Sequence, residues 1–194
     1  MGVCSVEVYE AILSRRSIKH FTSAPVEVAA IDRALAAGIW AQNHHLTQPW
    51  RFSVLGPQAH RALATANGAV AAEAVQVGDD AMRERVRAGA EAKYLSKPLI
   101  VVVSCVLHGS ELDRREDFAA TCCAIQNIQL AAWDEGLGMQ WSSNNMTRHP
   151  RAAALLGINP AEEEIIAFLY FGYPAETPPA QPRKALDDVT RRLP

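Results

Sequence analysis

The sequence predicts an α+β fold, a helix-rich sandwich in which a small mixed central sheet is flanked by helices. Three observations predict it. Apolar residues recur at helical spacing through the first forty positions, as Val8, Ile12 and Leu13 and then Val28, Ile31, Leu35 and Ile39. The run "PLIVVVSCV" (98–106) is continuous and β-branched, as a strand covered on both faces must be. Residues 116–137 are apolar nearly all round ("FAATCCAIQNIQLAAW"), which predicts a long, central, buried helix.

The first helix ends near "SRRS", and Pro25 stands near the start of the second. A polar loop, "AQNHHLTQPW" (41–50), leads into "WRFSVL", which alternates as a strand and stops at Gly56-Pro57. Residues 58–95 are Ala-rich, charged and helical, with weak amphipathicity around "GAVAAEAVQVGDD", and are suited to covering a site. Gly136 and Gly138 end the long helix, and "MQWSSN" reads as a short strand entering a polar turn. The short helix "RHPRAAALLG" precedes the last strand, "EEIIAFLYFGYP". From Pro174 onward five prolines preclude long regular structure, so the chain divides into a domain over 1–176 and a Pro-rich arm over 177–194.

At 194 residues the chain can bury one real core. A net charge of -2 leaves no nucleic-acid footprint. No apolar run reaches the roughly 18–20 residues of a membrane helix, and "MGVCSVEVYEAIL" lacks the basic flank and long apolar run of a signal peptide. Gly2 matches a myristoylation signal only loosely. The expected location is cytoplasmic. Cys4, Cys105, Cys122 and Cys123 form no Cys-x-x-Cys pair or zinc spacing, and the last three are expected to be small buried hydrophobes.

Four clusters could carry chemistry. In "SRRSIKHF" (14–21), Arg15, Ser17 and Lys19 are spaced by two, so an extended segment points all three the same way. Two cations and a hydroxyl on one side suit a phosphate, while a basic helix end complementing the macrodipole is an equal alternative. In the 41–52 loop, His44 and His45 are neighbours that diverge in an extended chain, and no acid stands at ligand spacing, which argues against a metal. Asn43, His44 and Gln48 offer instead donors and acceptors for a planar, heteroatom-rich ligand, with Pro49 stiffening the entry to the strand. In "GLGMQWSSNN" (136–145), Trp141 stands beside Ser142 and Ser143, either a ligand-lining plane with two hydroxyls or a core tryptophan with a polar turn. The full Gly-x-Gly-x-x-Gly pattern is missing. Last, Arg183 and Lys184 follow a proline-stiffened stretch, where a solvated basic pair is the default reading.

Taken in order, "RRSIKHF", "AQNHHLTQPWRF", "AIQNIQLAAWDEGLGMQW" and "FLYFGYPAE" resemble the segments of the nitroreductase family, and "RKALDDV" resembles its basic C-terminal arm. The resemblance implies a nitroreductase-like sandwich that binds FMN and forms a homodimer with flavins at the subunit interface. It implies that Arg15 and Ser17, with Arg16 beside them, bind the FMN phosphate and that Arg183 adds a contact there. Lys19 approaches the flavin's pyrimidine edge and tunes the ring, and Trp141, Ser142 and Ser143 line its other side. Trp40 and His44 reach the flavin from the partner subunit, in the loop that also holds Asn43, Gln48 and Pro49. Trp40 departs from small relatives that carry arginine there.

The implied activity is ping-pong transfer of hydride from NAD(P)H, through the flavin, to a small electrophilic acceptor such as a nitroaromatic, quinone or enone. No catalytic side chain is required, because the flavin carries the chemistry. Two alternatives keep the flavin: dehalogenation or flavin breakdown on the same fold, and a binding module without turnover.

Overall fold

A computed structural model describes residues 7–194; Gly2 and Cys4 lie outside the described residues. Helix α1 (Val8–Ser14) and helix α2 (Val28–Gly38) precede strand β1 (Trp50–Val54). Helices α3 (Pro57–Glu73) and α4 (Asp80–Leu95) lead to β2 (Leu99–Val106), and α5 (Glu111–Asp134) leads to β3 (Gly138–Ser142). Helix α6 (Pro150–Leu156), β4 (Glu163–Gly172) and a single turn, α7 (Leu186–Val189), complete the chain. The 58–95 region is thus two helices packed together, separated by a break where Gly78 takes a φ of 151°.

The sheet has the order β1-β2-β4-β3, and every ladder in it is antiparallel. Among the described residues the parallel pairing that the word mixed anticipates is one isolated bridge, Ser17 to Met139. Antiparallel neighbours satisfy the same hydrophobic pattern as parallel ones when both faces are covered, so the β-branched run could not distinguish them. Val101, Val102, Val103 and Cys105 of β2 are buried as expected. One face of the sheet packs on α2 and α5 through Ile31, Ile125, Ile128 and Leu169. The other packs on α3, α4 and α6 through Leu63, Tyr94, Ala152 and Phe168.

Helix α5 differs from its expected all-round burial. Asp117, Ala120, Ala124, Ile125 and Ile128 are buried, but Phe118 and Cys123 on the opposite side are exposed and Cys122 is half-buried. The expectation that Cys122 and Cys123 are core residues is corrected accordingly, whereas Cys105 is buried. A capping box starts the helix, with Ser110 and Asp113 satisfying each other's backbone N–H groups, and Gly136 ends its run at a φ of 74°. No helix of the described residues is long and apolar enough to cross a membrane.

Two glycines position the functional segment. A Cβ at Gly138 would meet Ile18 at 2.5 Å, and one at Gly172 would meet Phe21 at 2.8 Å. Their bare backbones let residues 17–21 lie against the ends of β3 and β4, where Ile18 N donates to Met139 O and Thr22 N to Tyr173 O.

Candidate functional site: an arginine cavity beside the sheet edge

Helix α1 stops at Ser14, and Arg15 turns extended at φ -54° and ψ 137°. Of the two readings of this basic segment, each arginine follows a different one. Arg16 caps the helix, donating from one terminal nitrogen to Leu13 O and Arg15 O at 2.8 Å each. The Arg15 guanidinium has no hydrogen-bond acceptor among the described residues, and its Nε, like that of Arg16, is buried without a partner.

Arg15, Arg16 and Ser17 line a cavity of about 530 Å³ with Arg183, which the proline-rich arm carries back over α1 through Pro178, Pro179 and Gln181. Among the described residues no carboxylate lines it. Burial, then the charges of Arg16 and Arg183, push the Arg15 pKa down, as expected for cations gathered without a counter-ion. A dianionic phosphate is the group such a set is built to receive: it fills the orphaned donors and relieves the mutual repulsion.

The edge of β3 carries the next group. Trp141 is half-buried against the central core, partly meeting the packing alternative, while Ser142 turns into a polar network and Ser143 is exposed. Asn144 Nδ2 donates to Ser142 Oγ at 3.1 Å, to Tyr94 Oη at 3.1 Å and to Tyr170 Oη at 3.4 Å. The two N–H groups of Asn144 are shared among these three oxygens, and the Ser142 hydroxyl donates to no acceptor among the described residues. Sequence reasoning saw Asn144 only as part of a polar turn; its two tyrosine partners come from α4 and β4, so no local signal marked it.

Lys19 and Gln140 line a separate cavity with residues of the α4 end. The 41–48 loop lies apart from both. Trp40 is 85% exposed. Asn43 is used inside the loop, its Oδ1 accepting from Gln48 N at 2.9 Å and its Nδ2 donating to Ala41 O at 3.1 Å. Pro49 is buried and its carbonyl accepts from Val106 N. His44 lies 3.9 Å from Glu116 and lines a small cavity with His45, His108 and Asp117. A single chain thus gathers Arg15, Arg16, Ser17 and Arg183, and leaves Trp40, His44 and Gln48 facing outward.

Comparison with known proteins decides the family. Residues 12–173 match the profile of the nitroreductase family. The chain belongs to that family. It is 31% identical over 179 residues to YfhC of Bacillus subtilis, provisionally named an NAD(P)H nitroreductase, covering 92% of this chain and 90% of that one. A crystal structure of a nitroreductase-like family protein from Bacillus cereus superposes with a TM-score of 0.82 at 26% identity, covering 97% of this chain and 96% of that one. A nitroreductase-type protein from Desulfovibrio desulfuricans, solved in complex with FMN, matches with a TM-score of 0.70 at 25% identity, covering 97% and 98%. The motif order that implied a nitroreductase-like sandwich is borne out by these matches.

Proposed function

We propose that this oxidoreductase of the nitroreductase family binds FMN and passes hydride from NAD(P)H to a small electrophilic acceptor, a nitroaromatic, quinone or enone, by a ping-pong route in a homodimer. One observation carries the reading: the Arg15 guanidinium, half-hidden and without an acceptor, in a cavity that holds three arginines and no acid. The name of the Bacillus subtilis relative and the FMN complex of the Desulfovibrio desulfuricans protein support it.

In this reading Arg15, Arg16, Ser17 and Arg183 hold the phosphate, and Trp141, Ser142 and Ser143 line the ring. When bound, FMN supplies the group that accepts hydride from the nicotinamide and donates it to the acceptor. The Ser142 hydroxyl, which accepts from Asn144, is available to donate to the ring. Lys19 places a cation where negative charge grows on reduction. Trp40 and His44 reach the ring from the second copy, with Asn43, Gln48 and Pro49 shaping their loop. Support for the dimer comes from large apolar side chains left in water: Tyr9, Leu13, Ile39, Trp40, Leu46 and Phe118. They lie on α1, the end of α2, the following loop and α5, elements that pack on one another.

The test is an absorption spectrum. The purified protein is expected to show flavin bands that NADPH or NADH bleaches without oxygen and a nitroaromatic restores, and dilution below the dimer's dissociation range should release the flavin. A colourless protein that takes up no added FMN would refute the reading, and full flavin on a proven monomer would remove the shared site.

A further inference from the structure

The loop that follows α2 is fastened at its base and strained at its tip. Ala41 and Trp50, its two ends, pack on Ala120 and Ala124 of α5. Between them His45, Leu46 and Gln48 all take left-handed backbone conformations, and the side chains of Trp40 and Leu46 stand in water. We propose that Asp117 is a positioning residue for the neighbouring subunit's cofactor site: by holding Thr47 it fixes this loop in the shape that the second chain's flavin pocket uses. This role rests on the functional reading above, in which Trp40 and His44 reach the partner's ring.

Asp117 is a buried carboxylate more than one turn inside α5. The macrodipole favours an acid in the first turn of a helix and little further along, so the helix does not account for it. Burying a carboxylate costs more than burying an apolar side chain of similar size unless hydrogen bonds offset the loss of water. Here Thr47 Oγ1 donates to Oδ1 at 2.6 Å, and His108 Nδ1 lies 3.0 Å from Oδ2. The carboxylate thus stands between the loop and the turn after β2. A cavity of about 210 Å³ at this point is lined by His44, His45, Thr47, His108 and Asp117, so hydrogen bonds do at the tip what close packing does at the base. The bond from Gln48 N to Asn43 Oδ1 closes the loop on itself without tying it to α5.

A simpler account has Asp117 stabilise its own chain and nothing more. That explains why the carboxylate is paired. It does not explain why the pairing holds three left-handed residues in a conformation whose exposed side chains gain nothing from the same chain. Strain of this kind persists where a site uses it. In the dimer the exposed side chains meet the second copy, and a loop free to relax would carry His44 away from its place in the partner's site. Misplacement by about 1 Å in a built site can cost about 100-fold in rate. A lesion at Asp117 therefore damages the site whose arginines belong to the other chain.

The experiment builds heterodimers with a different purification tag on each chain, one chain carrying Arg15→Ala and the other Asp117→Ala, and counts tight FMN sites by fluorescence quenching. Each homodimeric variant is expected to bind FMN about tenfold or more weakly than the wild type at both sites. The heterodimer joins the two lesions in one site and leaves the other intact, so it should recover one wild-type FMN site per dimer, and about half of the wild-type turnover of a nitroaromatic. Were Asp117 to act on its own chain's site, each site of the heterodimer would carry one lesion and no tight site would return. Thr47→Val removes the hydroxyl and leaves the carboxylate, so it should complement Arg15→Ala in the same way, and it replaces Asp117→Ala if that chain does not fold. Asp117→Asn keeps an acceptor for Thr47 and should retain most of the FMN affinity. No recovered site in the heterodimer, or wild-type FMN affinity in a folded Asp117→Ala homodimer, overturns the inference. A wild type that takes up no FMN, or holds it fully as a monomer, overturns the functional reading and the inference with it.

Discussion

Thr47 donates its hydroxyl to Asp117 Oδ1 at 2.6 Å, tying an outward-facing loop to the buried face of the longest helix. The loop needs a tether. His45, Leu46 and Gln48 hold φ values of 52°, 53° and 44°, left-handed positions that none of these side chains favours. Each costs about 1–3 kcal/mol unless its surroundings impose it. Asp117, 2% exposed, supplies the imposition, and His108 Nδ1 lies 3.0 Å from its other oxygen.

Asp117→Ala should therefore destabilise the protein by about 1.5–3 kcal/mol, the worth of a hydrogen bond to a charged group, and should speed amide exchange across residues 43–48. Asp117→Asn keeps an acceptor for Thr47 and should restore most of both. Urea unfolding and hydrogen exchange measure the two effects. Equal losses in the two variants would show that charge, and not the tether, is what the loop depends on.

A second prediction concerns the phosphate cavity. Arg15→Ala should weaken FMN binding by about 10- to 150-fold, corresponding to a charge-assisted contact of about 1.5–3 kcal/mol. Arg16→Ala should cost less affinity and more stability, because Arg16 is engaged in capping α1. Quenching of FMN fluorescence gives the affinities. Retention of full affinity in Arg15→Ala would place the phosphate elsewhere.

How legible these sites were depends on the range of the contacts that build them. The spacing in "RRSIKHF" left an extended phosphate receptor and a basic helix end equally open, and the structure ends the helix at Ser14 with Arg15 extended. The buried β2 strand and the existence of α5 were legible because apolar patterning is a local property. Three things were not. Arg183 joins Arg15 across most of the chain, so only family resemblance linked them. Asp117 looked like an ordinary charged residue near the start of a helix, since its partner Thr47 is 70 residues away. Helix α5 is apolar all round in sequence, yet within one chain it buries only one face. Composition counts apolar residues without saying which protein surface will cover them.

The last prediction is for acid. Ser110 N–H and its hydroxyl both donate to Asp113 Oδ2, at 2.7 and 2.8 Å, and hold the Asp113 carboxyl below its usual pKa. Arg33 does the same to Glu135 through a two-pronged pair at the other end of α5. A carboxyl with a lowered folded pKa stabilises the fold at pH above its unfolded value, and that contribution drains away as pH falls through the folded value. Stability should thus decline on acidification below about pH 4, where unperturbed carboxyls titrate. Asp113→Asn should start less stable at neutral pH and show a shallower acid decline. Salt separates the two contributions. The Arg33–Glu135 pair is exposed and will be screened, whereas the cap is a local hydrogen-bonded arrangement that salt leaves in place. Urea midpoints across pH at low and high salt read both, and an acid decline of equal slope in the wild type and Asp113→Asn at high salt would remove the cap from the account.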